Sequence, residues 1–281
     1  YKYGETTSSK NAIAEIWLKL YNEIANINNF LQYLESNGDV IVTEGYRDLM
    51  KGEALGLRAF HYFDLLRLFA PYDFSSEAKP AIPYVKEARP AIAPQLTPAK
   101  FVEYALEDVN AAIALLKEDP ILTGKDITGM DNGYLANRNF HLNYYAAVGL
   151  KARICLYAGN TKDAYDAANE VILAQQNSDL FPWVKTEDIT TTTIELRDRT
   201  FSTEHLFAFN TNKLGEYIKG YFRETSTPLI SRILPAELYE PDDYRNALYE
   251  IYSGSANVLT KFWQLESVYV SGQGLVRPKR D

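Results

Sequence analysis

The sequence predicts a mainly α-helical fold, with paired helices over residues 1–176 and an irregular, loop-rich region with short strands over 177–281. Three observations predict it: long apolar stripes at helical spacing, a helical hairpin rich in small residues, and the loss of both patterns after Asn177.

The first stripe is Ile13, Ile16, Trp17, Leu20, Ile24, Ile27, Leu31 and Leu34, at steps of three and four. It predicts a helix of roughly six turns, stopped at Asn37-Gly38 by a left-handed C-cap. A second helix is expected from Thr43-Glu44 to Phe69, ended by Pro71. Met50, Ala54, Leu57, Phe60 and Phe63 form its stripe, widened by Leu65, Leu66, Leu68 and Phe69, so it must be covered on two sides. Pro71, Pro80, Pro83, Pro90, Pro94 and Pro98 forbid helix over 71–98 and predict an extended connection along the surface. Thr97-Pro98 reads as an N-cap with proline in the first helical position, opening a third helix that ends before Pro120.

After a Gly/Asp/Asn-rich loop over 121–137, two more helices are expected, Asn139–Ala158 and Thr161–Gln176, joined at Gly159-Asn160. Ala146, Ala147, Gly149 and Ala152 face Ala164, Ala167 and Ala168 across this hairpin. Close antiparallel pairs of this kind are the unit of tetratricopeptide-like solenoids. Beyond it, Asp188–Thr193 is Thr-rich and Glu204–Asn210 reads as a short strand. Pro235–Tyr239 and Asp243–Tyr252 read as short helices, and Val258–Phe262 and Ser267–Val270 as strands of one hairpin.

Composition narrows the function. Hydrophobic residues make up 46% of the 281, enough for a sizeable core. The formal charge is −8 and Lys and Arg are scattered singly, which argues against a nucleic-acid partner. Cys155, the single cysteine, excludes an internal disulfide and reads as a buried small hydrophobe. No apolar run of about 18 residues exists to span a bilayer as a helix. The start at Tyr1-Lys2-Tyr3, without initiator Met or signal peptide, reads as processed or trimmed. His61, His141 and His205 lack metal-ligand spacing, and no phosphate loop, nucleophile elbow or paired-cysteine site occurs, so no catalytic, metal or cofactor residue is assigned. Glu107-Asp108, Glu118-Asp119 and Asp242-Asp243 read as solvated surface and helix-end charge. Glu53 and Arg58, on an otherwise apolar helix, read as members of a structural ion network.

The order of motifs resembles the SusD/RagB family of outer-membrane nutrient-binding lipoproteins. Trp17–Asn28 (W-L-K-L-Y-N-E-I-A-N-I-N) is similar to that family's first helix, and Gly52–Tyr72 to its most recognisable signature. Ile82–Val85, the Ala146–Ile172 hairpin, Glu204–Phe209 and Tyr239–Arg245 stand in the expected order, so the resemblance covers residues 13–245. Ala70 stands where family members commonly keep Gly, and a further family helix is expected beyond Asp281, so the chain reads as truncated there. The resemblance implies a non-catalytic protein lipid-anchored at the outer-membrane surface through a cysteine outside this sequence. It further implies that the protein captures oligosaccharide and delivers it to a SusC-like TonB-dependent porin.

The 21 Tyr, 13 Phe and 3 Trp residues suit sugar recognition, in which flat rings stack on pyranose C–H faces while Asn and Arg bind hydroxyls. Candidates in loops outside the stripes are Tyr72, Phe74, Tyr134, Asn137, Trp183, Tyr217, Tyr221, Phe222, Arg223 and Trp263. Alternatives are a tetratricopeptide-like protein–protein scaffold, a binder of peptides or other non-glycan nutrients and, last, a helical-toroid glycosidase, which needs more helices than are counted here.

Overall fold

Apolar residues at three- and four-residue intervals coil the N-terminal segment into α1 (Thr7–Asn37), longer than the stripe alone predicts. The computed structural model describes residues 7–88, 92–122, 133–178, 180–192, 196–209, 211, 239–252, 256–259, 268–270 and 274–276. The chain divides into two units, Tyr1–Leu180 and Phe181–Asp281.

In α1, Ile24 and Leu34 are buried, whereas Ile13 and Ile16 at the head of the stripe are exposed. The expected left-handed cap does not form. Asn37 has φ −131°, and the chain runs straight into a 3-10 turn, Gly38–Val40. Gly38 itself is buried beneath the Arg47 side chain.

Helix α2 (Tyr46–Phe69) is the centre of this unit. It packs against α1 and against α3 (Pro98–Leu115), and touches α4 (Tyr144–Tyr157), so its wide apolar face is covered on more than one side, as expected. Ala59, Tyr62, Leu65 and Leu66 are essentially inaccessible. Two glycines permit the close approach: a Cβ on Gly56 would meet Leu142 Cδ2 at 2.1 Å, and one on Gly52 would meet Leu116 Cγ at 2.8 Å.

The proline-rich connection forms no helix among its described residues. It closes a minimal antiparallel pair, β1 (Ile82–Pro83) with β2 (Gln95–Leu96), in which Ile82 faces Leu96. The expectation of a purely surface path is corrected here: Ile82 and Tyr84 are buried, since both side chains find apolar and polar partners between the helices. Thr97 caps α3, its Oγ1 accepting from the Lys100 N–H.

The hairpin of α4 and α5 (Thr161–Ser178) turns at Gly159, where φ is +80° and a side chain would be strained. Ala147, Ile154, Ala164 and Ala167 are buried along it. Helix α4 begins later than expected: Asn143 Oδ1 accepts from the Ala146 N–H and fixes the start, leaving Arg138–Phe140 as a 3-10 turn.

Among the described residues, the second unit has only a short α-helix. Helix α6 (Thr186–Thr190) occupies the Thr-rich stretch. The expected strand Glu204–Asn210 does not form over its described residues; Ser202–Glu204 is a 3-10 turn. Asp198 Oδ1 accepts from the Thr200 and Phe201 N–H groups, and Phe201 is left-handed at φ +53°, so local bonds curl the chain before any strand can start. Tyr244–Leu248 is a 3-10 turn and passes into β3 (Tyr249–Tyr252), correcting the helix expected to Tyr252. Most of the other expected helix, residues 235–238, lies outside the described residues. Strand β3 pairs with β4 (Ala256–Leu259), and β5 (Val268–Val270) with β6 (Gly274–Val276). The single hairpin expected between Val258–Phe262 and Ser267–Val270 is therefore replaced by two antiparallel pairs.

Candidate ligand-binding surface

Two buried polar clusters hold loops against α2. In the first, Arg58 Nε and Nη2 donate to Asp108 Oδ2 and Oδ1, both at 2.7 Å, and Nη1 donates to Asn28 Oδ1 at 2.9 Å. Tyr84 donates its hydroxyl to the same Asp108 at 2.6 Å. Tyr62 donates to the Val85 carbonyl and accepts from the Val85 N–H, while Asn28 Nδ2 also donates to that carbonyl. The segment around Val85 is thereby tied to three helices. Burial pushes the Tyr62 and Tyr84 phenols above the usual tyrosine range. Burial by itself would depress Arg58, but the hydrogen bonds and charge of Asp108 outweigh it and raise its pKa.

In the second cluster, Arg138 reaches Asp119 through Nε at 3.0 Å and Nη2 at 2.8 Å, and Glu53 through Nη1 at 2.6 Å. Asp119 also accepts from the Ile121 and Tyr144 N–H groups, so it joins the end of α3 to the start of α4. Glu53 and Arg58 are thus members of ion networks, as expected. Asp108 and Asp119 correct the surface reading of their acidic pairs, at 4% and 0% exposure. Their partners come from positions 50 and 19 residues away, which no local pattern reveals.

The opposite end of α2 has another character. Tyr72, Phe74 and Tyr157 form a three-ring cluster, with centroids 5.1–6.0 Å apart and every pair edge-to-face. Tyr157 also meets Phe63 edge-on at 5.5 Å. Phe63 is buried, whereas Tyr72 is 68% exposed and offers an open aromatic surface. Guanidinium carbons of Arg67 and Arg153 lie 5.2 and 5.5 Å from the Phe63 centroid. The structure therefore brings Tyr72 and Phe74 together. It adds Tyr157, which helical spacing marks only as a hairpin residue.

Tyr134 is placed differently, packed beside Tyr46 and His141 and under Arg138, within the second polar cluster. Asn137 is exposed at φ +51° and precedes the 3-10 turn at Arg138. Trp183, in the second unit, is 72% exposed. Tyr217, Tyr221, Phe222, Arg223 and Trp263 lie outside the described residues.

Comparison with known proteins fits this architecture. The SusD-like family described as "Starch-binding associating with outer membrane" matches residues 2–124. A SusD superfamily protein from Bacteroides thetaiotaomicron is 24% identical with a TM-score of 0.62, over 83% of this chain and 50% of that one. Another from Bacteroides vulgatus is 22% identical with a TM-score of 0.66, over 88% and 54%. Residues 2–124 thus resemble the SusD-like family, and the chain shares the fold of SusD superfamily proteins.

A SusD-like carbohydrate binding protein from Bacteroides vulgatus also shares the fold, at 17% identity and a TM-score of 0.60, over 89% of this chain and 52% of that one. The chain spans about half the length of these solved structures. No curated protein matches it. Beside α1, the first unit also has two adjoining clefts of about 480 and 350 Å³, sharing Asn28, Glu87 and Ala88. Asn28 and Arg58 are committed to each other there, and Lys51 and Lys86 to Glu35 and Glu107. That leaves the aromatic cluster as the better-equipped surface. Among the described residues, no helix is long and apolar enough to cross a membrane and no acidic, His or Cys group could hold a metal.

Proposed function

We propose that this chain is a SusD-like, non-catalytic glycan-binding protein of the outer-membrane surface, with Tyr72, Phe74 and Tyr157 as a stacking platform for an oligosaccharide. The observation that carries this reading is the cluster itself. Three rings hold one another edge-to-face, and Tyr72 keeps most of its surface open. A ring fixed by its neighbours loses little further freedom when a pyranose stacks on it, so more of the contact energy survives as affinity. The family description, starch binding in association with the outer membrane, supports both the ligand class and the location. Delivery to a SusC-like TonB-dependent porin and attachment by a lipid are parts of the same proposal, as is Trp183 as an additional exposed stacking ring.

A glycan array followed by calorimetry on the best ligand tests the reading. Tyr72→Ala is expected to weaken binding about five-fold, the equivalent of about 1 kcal/mol for one stacked ring. Affinity unchanged by that substitution would remove the platform from the site. Porin delivery is tested separately, by co-purification from detergent-solubilised outer membranes; absence of any porin would sink delivery and leave glycan binding standing.

A further inference from the structure

Phe63 and Arg67 are four residues apart on α2, and Arg153 and Tyr157 four apart on α4. Each pair therefore shares a helix face, and across the two helices Phe63 and Tyr157 meet edge-on. The guanidinium carbons of Arg67 and Arg153 both lie over the Phe63 ring, one from each helix. Their circumstances differ. Arg67 is ion-paired with Asp64, whereas Arg153 is exposed and makes no ion pair with any described residue. Stacking occupies only the flat face of a guanidinium. The in-plane N–H donors stay available in a fork that matches an anionic oxygen pair.

We propose that the platform takes an acidic sugar, one bearing a carboxylate or sulfate, and that Arg153 is its specificity-determining residue. The inference rests on the glycan reading of the same cluster. A ring such as Tyr72 stacks on neutral and acidic pyranoses alike, so it contributes affinity without discrimination. A cation held over Phe63, with no carboxylate partner among the described residues, adds the discrimination. The net charge of −8 gives the chain no general attraction for anions, so recognition of one depends on a locally placed cation.

The test is an array carrying neutral, uronic-acid and sulfated oligosaccharides, followed by titrations with tetragalacturonate and its fully methyl-esterified form, which differ in charge but not in chain. Tighter binding of acidic than of neutral glycans is expected, with the uronic-acid and sulfated arms showing which anion is preferred. Arg153→Gln should weaken binding of the acidic ligand about ten-fold and leave a neutral ligand unaffected, while Arg153→Lys restores part of the loss. Equal binding of neutral and acidic glycans, or an acidic preference that survives Arg153→Gln, overturns the charge proposal and leaves glycan binding intact. No binding to any glycan overturns both. Because Arg153 is exposed, an unchanged melting temperature in the variant separates a lost contact from a lost fold.

Discussion

The two ends of α2 make opposite uses of the same kinds of side chain. Toward its start, Glu53 and Arg58 are tucked between helices and spend their hydrogen bonds on Arg138, Asp108 and Asn28. Toward its end, Phe63 and Arg67 lead to rings and cations that face solvent. The buried end ties loops to helices and leaves little for a ligand. The exposed end is held together mainly by contacts between rings and of cations with a ring, and Arg67 and Arg153 stay in reach of solutes. The contrast shows that charge on a helix signals structure where partners enclose it and recognition where they do not.

The sharpest way to break the comparison is to remove Arg138. Arg138→Met strands Asp119, which is inaccessible, and should destabilise the helical unit by about 3–5 kcal/mol in chemical denaturation. A loss within 0.5 kcal/mol would show that the second cluster clamps nothing. Next in size is Gly56→Ala, which drives a methyl into Leu142 and should cost about 1–3 kcal/mol; a neutral result would mean that α2 and Leu142 separate easily.

Tyr84→Phe should cost about 2 kcal/mol by deleting the hydroxyl bonded to the Asp108 carboxylate. It also tests a pH dependence. The raised pKa values of Tyr62 and Tyr84 mean that the native state keeps protons which the unfolded chain releases above the ordinary tyrosine pKa of 10.0. Their contribution is complete below that pH and is lost as pH climbs past it. Melting temperature should thus fall above pH 10, less steeply in Tyr84→Phe than in the parent; identical slopes would exclude Tyr84 from the effect. The smallest change is expected at the exposed end, where Tyr72→Ala should alter stability by less than about 0.5 kcal/mol. A large loss there would make Tyr72 a structural ring and erase the contrast.

Much of the helical unit was readable in advance because its signals are local. Thr97-Pro98 carries its own cap and proline, and Gly159 its own turn. Alternate three- and four-residue steps locate α1 and α2. The second unit was read less well. Glu204–Asn210 has the composition of a strand, yet strands need partners, and Asp198 curls the preceding chain instead. Of the candidate site, Tyr72 and Phe74 stood out as aromatic residues in a loop, whereas Tyr157 lies in a helix and joins them only because the α4–α5 hairpin packs beside α2.

What the sequence determined alone was therefore periodic: which stretches coil, where caps and prolines end them, and which of their faces must be covered, since each depends on residues within a few positions. Tertiary structure decided which acids are solvated and which are interred. Asp108 and Glu107 are neighbours in the chain, but only Asp108 points at Arg58. It also decided that Arg58 and Arg138 meet carboxylates while Arg153 meets none among the described residues, because a charge's partner is chosen by packing between segments far apart in sequence.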